Sequence, residues 1–108
     1  MTDLNLRPDN ETSLKDFFTQ KSPGDQQEQV AVFVYYLART LELTDIGANH
    51  LYTCFNEVGK KVPKNILMVV RNTAIRKGWI DASDSNNLRI TTPGENFVGH
   101  DLPEKGSN

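Results

Sequence analysis

Apolar side chains recur at the three- and four-residue spacing of an α-helix along most of this chain. The pattern predicts one short helix, three longer helices and a closing helical turn. Each predicted helix begins at a residue type that favours a helix start. These starts are Thr12 or Ser13, Asp25, Asp45, Pro63 and, for the closing turn, Thr92. Gly59 and Gly78 are expected to end the third and fourth helices, because glycine adopts the left-handed conformation of a helix end without strain.

The second helix is predicted to be apolar on two sides. Its β-branched and aromatic residues favour a strand, but the run continues without a breaker over a length typical of a helix. The first side comprises Val30, Phe33, Val34, Leu37 and Leu41. The second side comprises Val32, Tyr35 and Tyr36. A helix of this kind is normally buried on both sides, so we expect the second side to pack on Phe17 and Phe18 or on another copy of the chain.

A β-hairpin is predicted after the fourth helix. Two short apolar segments, Trp79–Ile80 and Leu88–Ile90, flank the polar and turn-rich residues 81–87. The closing turn that follows places Phe97 and Val98 towards the core.

The composition predicts a single domain with one modest core. The chain has 108 residues, of which 37% are hydrophobic. We expect the domain at residues 12–98, with the polar residues 1–11 and 99–108 as flexible tails. No apolar run approaches the roughly 20 residues that cross a bilayer, and the polar start lacks the pattern of a secretory signal. The single cysteine, Cys54, excludes an internal disulfide, and the cytoplasm is the expected location.

Positive charge is concentrated in residues 60–89. Seven basic residues lie there against two acidic ones, Asp81 and Asp84, which gives a surplus of five positive charges. The whole chain has a formal net charge of −2, so the remaining residues sum to −7. A basic helix and hairpin on an acidic body are typical of nucleic-acid-binding proteins. The same residues are equally compatible with a solvated surface that binds nothing.

The segments Ile75–Ile80 (IRKGWI) and Leu88–Gly94 (LRITTPG) carry a resemblance that covers roughly residues 25–98. Together with the order of helix, helix, proline-initiated helix and hairpin, they are similar to a winged helix-turn-helix domain. The resemblance implies an α+β, mostly α fold with a three-helix core, a short β-hairpin wing and a C-terminal helical turn. It also implies that the fourth helix of this chain lies in the DNA major groove and that the wing contacts the DNA backbone.

The DNA-binding role would fall on the outward face of the fourth helix and on the wing. The core side of that helix is expected at Ile66, Leu67, Val70 and Ala74. The candidate DNA-binding residues are Lys60, Lys61, Lys64, Asn65, Arg71, Asn72, Arg76 and Arg89. The two asparagines suit an adenine edge and the arginines of the helix a guanine edge, whereas the lysines suit phosphates.

Two features favour a protein partner instead. Met68 and Ile75 place apolar side chains in the middle of the outward face, where they suit a protein interface as well as a thymine methyl group. The wing tip carries two acids and no base, so it would repel phosphates. The candidate protein-interface residues are Met68, Ile75, Val32, Tyr35 and Tyr36.

The sequence offers no catalytic or metal site. His50 and His100 lie far apart and are accompanied by one cysteine, which excludes the ligand spacing of a zinc site. No pair of acids and no hydroxyl beside a positioned base can be identified. We therefore expect no enzymatic activity, no metal and no cofactor.

Three functions remain open. The first is a DNA-binding transcription regulator that acts as a homodimer on double-stranded DNA, because one small module makes few contacts. The alternative is a winged-helix adaptor that binds a protein and no DNA. The third is a self-assembling domain whose only ligand is another copy of itself.

Overall fold

A computed structural model gives the fold of this chain and describes residues 12–102. Its helices are α1 Leu14–Lys21, α2 Gln26–Tyr35, α3 Ala48–Val58, α4 Ile66–Asn72 and α5 Thr92–Asn96. Three of them continue into a wider π-helical turn, α2 over Tyr36–Thr40, α4 over Thr73–Lys77 and α5 over Phe97–Asp101. Strands β1, Ile80–Asp81, and β2, Arg89–Ile90, pair antiparallel, with Ile80 opposite Ile90. The predicted α+β, mostly helical class is therefore confirmed.

The first two helices begin at capping residues that the sequence predicted, Ser13 and Asp25. Ser13 Oγ accepts a hydrogen bond of 3.2 Å, and Asp25 Oδ1 one of 2.9 Å, each from the N–H three residues further on. Both bonds satisfy a backbone group that the helix itself leaves unpaired. Gly59 and Gly78 end α3 and the extended α4 with φ angles of 75° and 71°, also as predicted.

The start of α3 differs from the prediction at Asp45. Asp45 adopts a left-handed conformation, with φ 56°, and the next residue, Ile46, pairs antiparallel with Leu88. The Leu88 N–H donates to the Ile46 carbonyl oxygen at 2.8 Å. The chain can begin a helix only after this pairing, so Gly47 is the N-cap, and its N–H donates to His50 Nδ1 at 3.0 Å.

The start of α4 lies later than the predicted start at Pro63. Pro63 is buried in the connection from α3. Asn65 is the N-cap, and its Oδ1 accepts a hydrogen bond of 3.2 Å from the Met68 N–H. An asparagine supplies the acceptor that a helix start requires, whereas proline only restricts φ.

Aromatic side chains of the first three helices form the centre of the core. Phe33 of α2 lies edge-on to Phe55 of α3, with ring centroids 4.8 Å apart, and stacks on Phe18 of α1 at 5.4 Å. Phe17 of α1 stacks on Tyr35 of α2 at 5.7 Å. Helix α1 therefore covers the second apolar side of α2, which is the first of the two predicted ways of burying it.

This packing removes Val32 and Tyr36 from the candidate interface residues. Both side chains are fully buried within the chain, and the Tyr36 hydroxyl donates to the Thr12 carbonyl oxygen at 2.6 Å. A side chain with no exposed surface cannot contact a partner unless its surroundings unfold, so the prediction is wrong for these two residues. Tyr35 keeps part of its surface exposed.

Trp79 and Phe97 attach the hairpin to α5. Their rings stack with centroids 3.8 Å apart and an interplanar angle of 10°. Trp79 packs partly buried against the core. The Lys77 ammonium lies 5.4 Å from the centroid of the Trp79 ring, and Val98 is fully buried as predicted.

The C-terminal boundary of the folded region lies beyond the predicted residue 98. The helical turn after α5 continues to Asp101, and Leu102 is buried. Residues 99–102 therefore belong to the folded region, because Leu102 provides a further apolar contact with the core. The predicted tail at residues 1–11, and residues 103–108 of the tail predicted at 99–108, lie outside the described residues. None of the helices within residues 12–102 combines the length and apolar content that crossing a bilayer requires.

Candidate interaction surface on α4 and the hairpin

Helix α4 and its π-helical turn carry most of the large apolar side chains that the described part of the chain exposes. Leu67 is 55% exposed, Met68 50% and Ile75 74%. The fourth such side chain within residues 12–102 is Tyr52 of α3. Apolar surface left in water is unfavourable in proportion to its area, so a ligand that covers these three side chains would gain free energy.

The inward face of α4 explains why Leu67 lies outside. Ile66, Val70 and Thr73 are buried at the i, i+4 and i+7 spacing of one helix stripe. The Thr73 hydroxyl donates to the Val69 carbonyl oxygen at 2.7 Å, which allows this polar residue to lie in the core. The prediction that Leu67 belongs to the core side is therefore wrong. Neighbouring positions on a helix lie 100° apart, so Ile66 and Leu67 cannot both lie at the middle of one buried face. The sequence therefore already indicated that one of the two residues lies away from the core.

A groove of about 640 Å³ lies between α4 and β1. Its α4 side comprises Leu67, Val70, Arg71, Ala74 and Ile75. Its hairpin side comprises Ile80, Asp81, Ala82, Ser83 and Ser85, and the lining is completed by Gly78 and Thr91. Arg89 and Ile90 of β2 line a separate cavity together with Ile46. The two residues of β2 are therefore not part of the groove lining.

Backbone hydrogen bonds hold the acidic tip of the hairpin. The Ser83 N–H donates to Asp81 Oδ1, and the Asn86 N–H donates to Asp84 Oδ1, both at 2.9 Å. The Ser83 N–H, then the Ser83 hydroxyl, and more weakly the charge of Arg89 hold the pKa of Asp81 below its usual value. The Asp81 carboxylate is therefore charged at neutral pH, and the tip presents negative charge beside α4.

The basic candidates for DNA binding are all exposed, but they are not all brought together. They are Lys60, Lys61, Lys64, Arg71, Arg76 and Arg89. The three lysines precede α4 and the next two arginines lie on it or on its π-helical turn. Arg89 lies on β2 opposite Asp81 and is not among the residues that line the groove. Arg39 and Glu95, which are not among these candidates, form an ion pair at 3.3 Å.

The two asparagines predicted to read an adenine do not lie side by side on the outward face. The carboxamide oxygen of Asn65 caps α4, so it already accepts the Met68 N–H. Asn72 is only partly exposed and lines a different cavity with Gln26 and Val69, between α4 and the start of α2. Asn72 therefore lies on the side of α4 that faces the start of α2, apart from Asn65.

His50 and Cys54 of α3 have structural roles. His50 Nδ1 accepts the Gly47 N–H and so caps α3. Cys54 is fully buried, and its burial, followed by the charge of Glu57, raises the pKa of its thiol. A protonated, buried thiol is a poor nucleophile and metal ligand. No three His, Cys, Asp or Glu side chains among residues 12–102 are grouped so that they could hold a metal ion.

Comparisons of this chain with protein-family models, with curated proteins and with solved structures gave no match. The functional assignment therefore depends on the geometry of α4 and the hairpin.

Proposed function

We propose that this chain is a winged helix-turn-helix domain that binds a protein partner through α4 and the hairpin. The observation that carries the proposal is the exposure of Leu67, Met68 and Ile75. At 3.6 residues per turn these three positions fall within about 100° of arc on one side of the helix. A contiguous exposed apolar patch rimmed by polar residues marks a protein interaction site, and methionine and arginine are enriched in such interfaces.

The order of the elements supports the winged-helix assignment. Helices α2, α3 and α4 follow one another and are succeeded by the hairpin. The pairing of Ile46 with Leu88 adds a third extended segment beside β2, so that the order across the sheet is Ile46, β2 and β1. On this assignment α1 is an N-terminal addition that covers α2, and α5 closes the domain behind the hairpin.

DNA binding is the second candidate, supported by the exposed basic residues on and before α4. Arg71 and Arg76 could each contact a guanine or a phosphate, and the three lysines before the helix could contact phosphates. Two findings make DNA binding less favoured than protein binding. Leu67 adds to the apolar surface beside Arg71, and the charged tip around Asp81 would lie next to phosphates and repel them.

Selection of peptide ligands tests the proposed function. The purified chain is used to select from a phage-displayed library of random peptides of about 15 residues, long enough to form a helix. A double variant, Met68→Asp with Ile75→Asp, serves for counter-selection; both side chains are at least half exposed, so the fold should tolerate the change. We expect peptides that bind the wild type and bind the double variant at least about tenfold more weakly.

A titration with mixed-sequence duplex DNA at low salt tests the second candidate, DNA binding. Amide chemical-shift changes that cluster on residues 60–77 and Arg89, and that added salt reverses, would indicate DNA binding. If such changes appear and no peptide is selected, the chain binds DNA and the protein-binding proposal is wrong. Absent shift changes at high DNA excess would remove the second candidate.

A further inference from the structure

We infer that the groove between α4 and β1 binds an acidic amphipathic helix of the partner protein, which lies along α4 and buries its apolar face on Leu67 and Ile75. This inference rests on the proposed function and specifies the kind of segment that the surface recognises. Met68, although exposed on the same helix, lies outside the groove.

The hairpin side of the groove excludes the other common occupant, an extended peptide. Strand addition to a sheet edge requires accessible backbone N–H and C=O groups. Ile80 of the edge strand β1 is only 2% exposed with its backbone included, and the Ser83 N–H is already bonded to Asp81. An extended peptide would therefore bury its own backbone groups without partners, whereas a helix pairs its backbone internally.

The spacing of the side chains on the α4 side suits a helical partner. Leu67 and Arg71 lie at i and i+4 of α4, which places their Cα atoms about 6 Å apart along the helix axis, and Ile75 follows on the π-helical turn. A partner helix repeats its own side chains at the same interval, so the two rows can interdigitate. The occupant should therefore carry apolar residues three or four positions apart over two to three turns.

The charge of the α4 side determines the charge of the occupant. Arg71 lies between the two apolar side chains, and Lys64 and Arg76 lie near the two ends of the helix, all exposed. On the opposite side, the Asp81 carboxylate keeps its negative charge and would repel acids on the flank of the partner helix that faces the hairpin. Acidic residues on the flank of the partner helix that faces α4 would pair with these cations, while a basic helix would be repelled.

The peptides selected with the purified chain provide the first test. We expect the enriched sequences to share apolar residues at helical spacing and acidic residues beside them. A proline placed at the centre of such a peptide should weaken binding by about a hundredfold, because it breaks the helix. Replacement of its glutamates by lysines should weaken binding at least about tenfold. Peptides that are basic, or that tolerate the central proline, would overturn the inference.

Single variants of the chain locate the binding site. Ile75→Asp and Arg71→Glu alter the groove, and each should weaken the selected peptides at least about tenfold. Gln20→Asp is the control, because Gln20 is exposed on α1, which does not line the groove, and binding should change less than about threefold. Circular dichroism establishes that all three variants keep the helical content of the wild type.

The outcomes separate this inference from the proposed function. Loss of binding in Met68→Asp with retention in Ile75→Asp would leave α4 as a protein-binding helix but would overturn the groove as its site. Amide shift changes on Leu67, Ile75 and Ala82 when a selected peptide is added are the expected result. Failure to select any peptide would contradict both proposals.

Discussion

The Thr91 hydroxyl donates a hydrogen bond of 2.6 Å to the carbonyl oxygen of Gly78. The Thr91 hydroxyl oxygen itself accepts a hydrogen bond of 3.1 Å from the Gly94 N–H and so caps α5. The Thr91 N–H donates to the Trp79 carbonyl oxygen, also at 3.1 Å. One residue after β2 therefore links the end of the α4 turn, the start of β1 and the start of α5, and in doing so it sets the position of the hairpin relative to α4.

Replacement of Thr91 by valine should destabilise the protein. Valine keeps the shape of threonine but removes the donor to Gly78 and the acceptor for Gly94, so the loss should be about 1–3 kcal/mol in the free energy of unfolding. Urea denaturation followed by circular dichroism measures this change. Thr92→Val is the matched control, because Thr92 is exposed at the first turn of α5, and it should stay within about 0.5 kcal/mol of the wild type. Equal stabilities for the two variants would contradict the linking role of Thr91.

Gly94 should be intolerant of any side chain. A Cβ atom built on Gly94 would overlap the Trp79 carbonyl oxygen and would lie 2.8 Å from Ile90 Cδ1. Because the first of these contacts is with backbone, Gly94→Ala should lower the free energy of unfolding by about 3 kcal/mol. Gly99→Ala is the control: its Cβ would lie 3.6 Å from the Tyr35 hydroxyl oxygen, an ordinary contact. The control should leave the stability unchanged or raise it slightly, and a similar loss in both variants would show that the close approach at Gly94 is not the cause.

Signals within a few residues of one another allowed several features of this fold to be predicted. Ser13 and Asp25 cap their helices through the N–H three residues further on, and Gly59 and Gly78 end theirs through their own backbone conformation. These interactions depend on neighbouring residues alone, so the sequence specifies them directly.

Features that depend on distant residues were missed. Asp45 has the chemistry of an N-cap, but the pairing of Ile46 with Leu88, 42 positions later, delays the helix. Leu67 was assigned to the core because apolar character alone does not show which stripe of α4 packs on α2; the buried Thr73 completes that stripe. The groove requires the hairpin to lie beside α4, and no local pattern specifies that placement.

Phe17 should keep the protein monomeric. Its ring stacks on Tyr35 and contacts Tyr36 at a centroid distance of 5.5 Å, so α1 covers the second apolar side of α2. Phe17→Asp should uncover that side, lower the free energy of unfolding by about 2–4 kcal/mol and produce a mass that rises with concentration. Sedimentation equilibrium measures the mass.

The control for Phe17 is Gln20→Asp, which places an acid at an exposed position of the same helix. It should leave the mass at that of one chain. A wild-type protein that is already dimeric at micromolar concentration, with Tyr35 protected in the dimer, would instead favour the alternative in which a second copy of the chain covers α2.

Asp81 should make the stability depend on pH in the acidic range. Its folded-state pKa lies below the usual value, first because the ionised carboxylate accepts the Ser83 N–H and then because of the Ser83 hydroxyl and Arg89. A group with a lowered folded pKa stabilises the fold at pH values above its unfolded pKa, about 3.9 for aspartate, and loses that contribution as the pH falls through the folded value. The difference in free energy of unfolding between the wild type and Asp81→Asn should therefore be constant above about pH 5, and below about pH 4 the wild type should lose stability relative to the variant.

An NMR titration of the Asp81 carboxyl carbon measures its pKa directly. Ser83→Ala keeps the backbone donor, so this variant should raise the Asp81 pKa only part of the way to the usual value. Titration at the usual value in the wild-type protein would contradict the hydrogen-bonded turn.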